Sequence, residues 1–136
     1  MNDLLRRQRA LEKTMRKYRG KDLDWRNVDC VRMFRSYLVA AGKKKLPKLP
    51  RYSTPLGAAK ALKKAGFDNL EQLLDATLPR IGREFALPGD IVLLKGEAPF
   101  DSITLLVSAR KVWGFHQDSV GPVPHTPHEI IGVWRA

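Results

Sequence analysis

The sequence predicts an α+β protein, with helices in its first part and a small antiparallel sheet in its last part. Apolar residues recur at helical spacing as far as about residue 78. After Pro88, Gly89 and Asp90 the pattern changes to short β-branched and aromatic runs separated by turn residues. With 136 residues the chain can bury a core but is short for two domains. We therefore expect a single domain over 1–136, with the helices packed on the sheet.

The first predicted helix covers about 3–19 and is strongly basic. Gly20 is placed to end it, and its apolar positions are Leu4, Leu11, Met15 and Tyr18. A helix with so many charges can pack on the core along this stripe. It can also stand outside the core as an arm, and the sequence leaves both possibilities open.

The other three helices have clear start or stop signals. The second spans about 29–41, and its apolar stripe consists of Val31, Phe34, Leu38 and Ala41. Thr54 followed by Pro55 is a good start for the third helix. Asn69 caps the fourth helix, which we expect to end near Pro79.

The strands are predicted from four short runs of β-forming residues. These runs are Ile91–Leu94, Ile103–Val107, Val112–Phe115 and Ile130–Trp134. The proline-rich segment 122–127 is expected to be an edge loop. No apolar run approaches the roughly 20 residues that span a bilayer, so we expect no membrane span.

Positive charge is concentrated in residues 1–64, called the basic half below. This half holds 19 Lys+Arg and 5 Asp+Glu (19 − 5 = +14), while residues 65–136 hold 6 and 9 (6 − 9 = −3). Such a surface attracts polyanions or acidic proteins. Aromatic residues do not alternate with the basic ones as a base-stacking platform requires, so nucleic acid ranks behind an acidic protein.

Cys30, the single cysteine, is the strongest nucleophile candidate. It falls in the first turn of the second helix, where backbone N–H groups favour a thiolate and lower the thiol pKa. Asp29 acts in the opposite direction unless its carboxylate caps the helix. The alternative is that Cys30 is a small buried residue under the sheet.

A thiol nucleophile needs a base, and the chain has three histidines. His116 follows a predicted strand and has Asp118 near enough in sequence to orient it. His125 and His128 could hold a metal with Glu129, but this is no complete ligand set, so we predict no metal. No phosphate-binding loop, dinucleotide-binding turn or HExxH motif is present, and we predict no cofactor.

Two segments in a fixed order carry a family resemblance. They are WRNVDC at 25–30 and LPGDIVLL at 87–94. They resemble the W-x-x-x-D-C and P-G-D-hydrophobic pair of NlpC-like cell-wall peptidases, which belong to the papain-like cysteine peptidase superfamily. The order of motifs over nearly the whole chain looks closer still to a small NlpC-related family of tailed phages and prophages.

By this resemblance Cys30 takes the position of the nucleophile. The catalytic histidine of NlpC-like enzymes begins the next strand of the sheet, where this chain has Ser102. A serine cannot accept the thiol proton near neutral pH as an imidazole can. His116 could substitute if the strands are registered differently. The predicted catalytic pair is therefore Cys30 and His116, in a site that is more consistent with a degenerate enzyme.

The resemblance implies a phage or prophage structural protein at the tail tip or hub, assembled in the host cytoplasm and carried in the virion tail. Its partners would be tail hub or tail-tip proteins, with the basic half as the docking surface. One alternative is an active cysteine endopeptidase that cleaves peptidoglycan peptides during genome entry. A nucleic-acid-binding module is a further alternative.

Overall fold

The computed structural model describes residues 3–43, 46–47, 49–97, 100–115 and 120–136. This part of the chain is α+β, with four α-helices followed by six strands. The helices are α1 (Asp3–Tyr18), α2 (Cys30–Ala40), α3 (Pro55–Lys64) and α4 (Leu70–Thr77). The strands are β1 (Arg80–Ile81), β2 (Ile91–Leu94), β3 (Ser102–Ser108), β4 (Lys111–Phe115), β5 (Pro122–His125) and β6 (Ile130–Trp134). A 3₁₀ turn at Arg83–Phe85 lies between β1 and β2.

Three of the helices begin at residues whose side chains cap them. Asp29, Thr54 and Asn69 each accept a hydrogen bond from the backbone N–H three residues later. Each oxygen thereby satisfies a donor that the first helical turn leaves without an intrahelical partner. The predicted starts of the third and fourth helices are confirmed. None of the described helices has the length and apolar composition of a membrane span.

The strands form one antiparallel sheet in the order β1-β6-β2-β3-β4-β5. Ile91 of β2 pairs with Leu105 of β3 on one side and with Trp134 of β6 on the other. The four predicted strands are therefore confirmed.

The segment predicted as an edge loop is in fact the edge strand β5. It pairs with β4, with Pro122 opposite Phe115 and His125 opposite Val112. Prolines have no N–H to donate, and an outer strand tolerates them because one of its sides carries no ladder. The two-residue β1 at the opposite edge was also not predicted from the sequence.

The sheet has two faces with separate apolar clusters. Buried residues on the helix-facing side, from helices and strands together, include Cys30, Phe34, Leu38, Leu73, Ile91, Leu93, Ile103, Leu105, Trp113 and Trp134. The outer face carries a smaller cluster of Val92, Leu94, Leu106, Val112 and Val133. The buried residues of β2 and β3 therefore alternate between the two faces.

Helix α1 packs into the core rather than standing apart as an arm. Its buried residues are Arg7, Ala10, Leu11, Thr14 and Tyr18. The predicted stripe is wrong at its first position, because Leu4 is 64% exposed and Arg7 is buried one turn later. The apolar pattern could not indicate this, since the buried guanidinium depends on an acidic partner far along the chain.

Candidate functional site

The loop before α2 is a tight turn that ends in the cap residue. Asp24 and Val28 form an isolated antiparallel bridge, with N–O distances of 2.7 and 2.6 Å. The ring of Trp25 stacks on Phe100, with centroids 5.5 Å apart and planes 17° from parallel. The tryptophan of the WRNVDC segment therefore packs this loop against the segment that precedes β3.

The carboxylate of Asp29 is fully buried and hydrogen-bonded on both oxygens. Its Oδ1 accepts from the backbone N–H of Arg32 at 2.9 Å. Its Oδ2 accepts from the Tyr52 hydroxyl at 2.9 Å and from the Arg32 guanidinium. Asp29 is thus occupied as a cap and as a partner of two side chains, which leaves it no role as a base for the neighbouring thiol.

Cys30 is the first residue of α2 and lies between this helix and β3. It is 8% exposed, and its thiol interacts with the backbone of Ile103. Burial, with a smaller contribution from the negative charge of Asp29, raises the pKa of the Cys30 thiol from 9.0 to about 12. Backbone groups at the helix start lower the pKa, as expected from the sequence, and so does the backbone of Ile103, but the cost of desolvating a thiolate is larger.

His125, one of the two described histidines, does not share a face of the sheet with Cys30. His125 pairs with Val112, which belongs to the outer cluster, so the imidazole of His125 is on the outer face. Ser102 pairs with Leu94, which is also in the outer cluster. At this end of β3, Ile103 rather than Ser102 is therefore on the helix-facing side with Cys30.

A groove of about 340 Å³ lies at the end of β2. His125, His128 and Ser102 line it. Glu129, the third candidate metal ligand, instead faces Lys95, with 3.8 Å between Nζ and Oε2. Within the described ranges, no group of three or more His, Cys, Asp or Glu residues is arranged to hold a metal ion.

His116 and Asp118 lie outside the described residues. They are the base and its orienting group in the predicted catalytic arrangement. The described part of β4 ends at Phe115, the residue before His116 in sequence. The pairing of Cys30 with His116 therefore stays a prediction.

The P-G-D turn is the centre of a buried ion-pair cluster. Asp90 is fully buried and pairs with the guanidinium of Arg7, whose side chain is only 3% exposed. Asp90 also pairs with Arg135 at 3.1 Å and accepts from the backbone N–H of Leu87 at 2.8 Å. The cluster joins α1, the start of β2 and the segment after β6. In the sequence, Asp90 is apparent only as part of the segment that precedes the first predicted strand.

Gly89 allows this cluster to close. Its φ of 94° is in the left-handed region that favours glycine, and its carbonyl accepts a hydrogen bond of 2.6 Å from the Tyr37 hydroxyl. A Cβ at this position would lie 2.9 Å from the Tyr37 oxygen and 3.0 Å from Nε of Arg7. The P-G-D segment therefore has a structural role, because it connects the start of β2 to α1 and α2.

A basic groove beside the start of α2 was not identified from the sequence. It has a volume of about 610 Å³ and is lined by Arg26, Asn27, Arg32, Arg51, Tyr52 and Ser53. We call these six residues the arginine groove. They come from separated parts of the chain, and the sequence signal that could have indicated them is the charge excess of the basic half.

These features define an α+β protein with a buried cysteine at a helix start and a basic groove next to it. The chain belongs to the family described as Domain of unknown function (DUF6950), whose model matches residues 4–136. Comparisons with curated proteins and with solved structures gave no match.

Proposed function

We propose that this chain is a structural protein of a phage or prophage tail, associated with the tail tip or hub. In this proposal it docks to an acidic partner through its basic half. Its scaffold would be NlpC-like and papain-like, with a cysteine that no longer works as a nucleophile. The resemblance of segments 25–30 and 87–94 supports the scaffold and the tail association.

The burial of Cys30 is the observation that carries the non-catalytic part of this proposal. The thiolate is the reactive form of cysteine. Because burial raises the pKa of the thiol to about 12, Cys30 stays protonated at neutral pH. His125 lies on the outer face of the sheet, away from the helix-facing side on which Cys30 packs. A working nucleophile would require the opposite arrangement.

The basic surface supports docking to an acidic protein. Besides the arginine groove, a second groove of about 320 Å³ lies between α1 and α2. Lys13, Lys17 and Arg35 line it, and Nζ of Lys17 donates to the hydroxyl of Ser36 at 3.1 Å. The positive charges on the neighbouring helices α1 and α2 favour association with a negatively charged partner.

Size-exclusion chromatography with tail hub and tip proteins of the same phage or prophage tests the proposal. We expect a complex at low salt that weakens at high salt, because exposed charge pairs are screened. Cys30→Ala should bind as well as the unmodified chain, since the thiol has no part in docking. Absence of a complex with every tail protein at low salt would contradict the proposal.

A cysteine endopeptidase is the second candidate function. It is favoured by the position of Cys30 as the first residue of a helix that packs on β3, with the Ile103 backbone next to the thiol. This candidate predicts that purified peptidoglycan is cleaved by the unmodified chain, and that both Cys30→Ala and His116→Ala abolish cleavage. Such a result would overturn the non-catalytic part of our proposal.

A further inference from the structure

The arginine groove is held in shape by Arg32. The Nη1 atom of Arg32 donates to the carbonyl of Trp25 at 2.9 Å, and the guanidinium pairs with Asp29. The same guanidinium lies 4.4 Å above the ring of Tyr52. These three interactions hold Arg32 in place as one wall of the groove.

The groove carries uncompensated positive charge. Of its three guanidiniums, that of Arg32 forms an ion pair with the carboxylate of Asp29. Arg26 and Arg51 are exposed, and neither side chain forms an ion pair with an acidic group in the part of the chain that the structure describes. Both are therefore available to an anionic ligand.

The surroundings favour carboxylates over nucleobases. A guanidinium matches a carboxylate with two parallel N–H···O bonds. Binding of single-stranded nucleic acid relies on aromatic faces on which bases stack. The ring of Tyr52 is covered on one face by Arg32, and the neighbouring Trp25 already stacks on Phe100. One face of each of these two rings is therefore already in contact with a neighbouring side chain.

We infer that the arginine groove binds an acidic peptide segment of the docking partner, with Arg26 and Arg51 pairing with its carboxylate side chains. The hydroxyl of Ser53 and the amide of Asn27 provide neutral donors at the same groove. This inference rests on the proposed function, and it assigns the docking contact to one defined site and one ligand chemistry.

The test is fluorescence anisotropy at low ionic strength with a labelled peptide of alternating glutamate and glycine. We compare Arg26→Gln/Arg51→Gln with Lys63→Gln/Lys64→Gln, a matched control in which two exposed charges of α3 are removed. The arginine variant should bind the peptide about tenfold more weakly, whereas the lysine variant should change affinity less than about twofold. A glutamine–glycine peptide should not bind.

Equal weakening in the two variants would overturn the inference, since it would indicate a general effect of net charge. The inference would also be overturned if an oligonucleotide of the same charge bound more tightly than the peptide and lost affinity in the arginine variant. If tail proteins bind the unmodified chain and the arginine variant equally, the groove inference fails and the proposed function stands. If peptide binding is weakened only in the arginine variant and no tail protein binds the chain, the groove inference is supported and the proposed function is contradicted.

Discussion

Replacing Asp90 by asparagine should destabilise the protein strongly, because it leaves a buried guanidinium without its counter-charge. The side chains of Asp90 and Arg7 are 0% and 3% exposed. Breaking a buried pair by removing one partner costs about 3–5 kcal/mol. Arg135 adds less, since its side chain is 36% exposed. We therefore expect Asp90→Asn to lower the free energy of unfolding by about 4 kcal/mol.

Urea unfolding followed by circular dichroism measures this loss. With a slope of about 2 kcal/mol per M, the midpoint should fall by about 2 M. Asp75→Asn is the matched control. Asp75 is 48% exposed, pairs with Arg80 and accepts from the Trp134 indole at 2.9 Å, so its loss should be about 1 kcal/mol.

A double-mutant cycle isolates the pair itself. Arg7→Met combined with Asp90→Asn should lose less stability than the sum of the two single losses, because no buried charge is left alone in the double variant. The reasoning is refuted if Asp90→Asn costs no more than Asp75→Asn, or if the losses of Arg7→Met and Asp90→Asn simply add.

Three further substitutions test other parts of the structure. Gly89→Ala should lose about 2 kcal/mol more than Gly66→Ala in urea unfolding: both glycines have positive φ (94° and 101°), but only a Cβ at Gly89 meets neighbouring atoms. Tyr52→Phe should lower the free energy of unfolding by about 1–3 kcal/mol in the same assay, because it removes a hydrogen-bond donor from the buried Asp29. A smaller loss than that of a Tyr→Phe change at an exposed position would contradict this hydrogen bond. Burial raises the pKa of Cys30 from 9.0 to about 12, so its stabilising contribution is complete below pH 9 and is lost as the pH rises towards 12. Relative to Cys30→Ala, the unmodified chain should lose about 1.4 kcal/mol of stability per pH unit between pH 9 and pH 12, and parallel pH profiles would contradict the raised pKa.

Features encoded by neighbouring residues could be predicted from the sequence. The cap of α3 at Thr54 and that of α4 at Asn69 depend on a side chain and an N–H three residues away, so both were identified. The strands at Ile91–Leu94 and Ile130–Trp134 were identified with their observed bounds, because their β-forming residues are flanked by turn residues.

Features that depend on distant residues could not be predicted. Arg7 is buried because Asp90, 83 residues away, neutralises it. The pKa of Cys30 was expected to be low from its helix position, whereas burial against β3 raises it. The register that places Ser102 and His125 on the outer face depends on pairings between strands, which the sequence does not reveal.

The rate of Cys30 alkylation as a function of pH, with the unfolded chain as reference, tests the central claim most directly. That claim is that Cys30 packs the core and does not act as a nucleophile. We predict slow alkylation of the folded protein and no rate plateau below the ordinary thiol pKa of about 8.5. A plateau well below that pH, at a rate equal to or above that of the unfolded chain, would reveal an accessible and stabilised thiolate and would contradict the account.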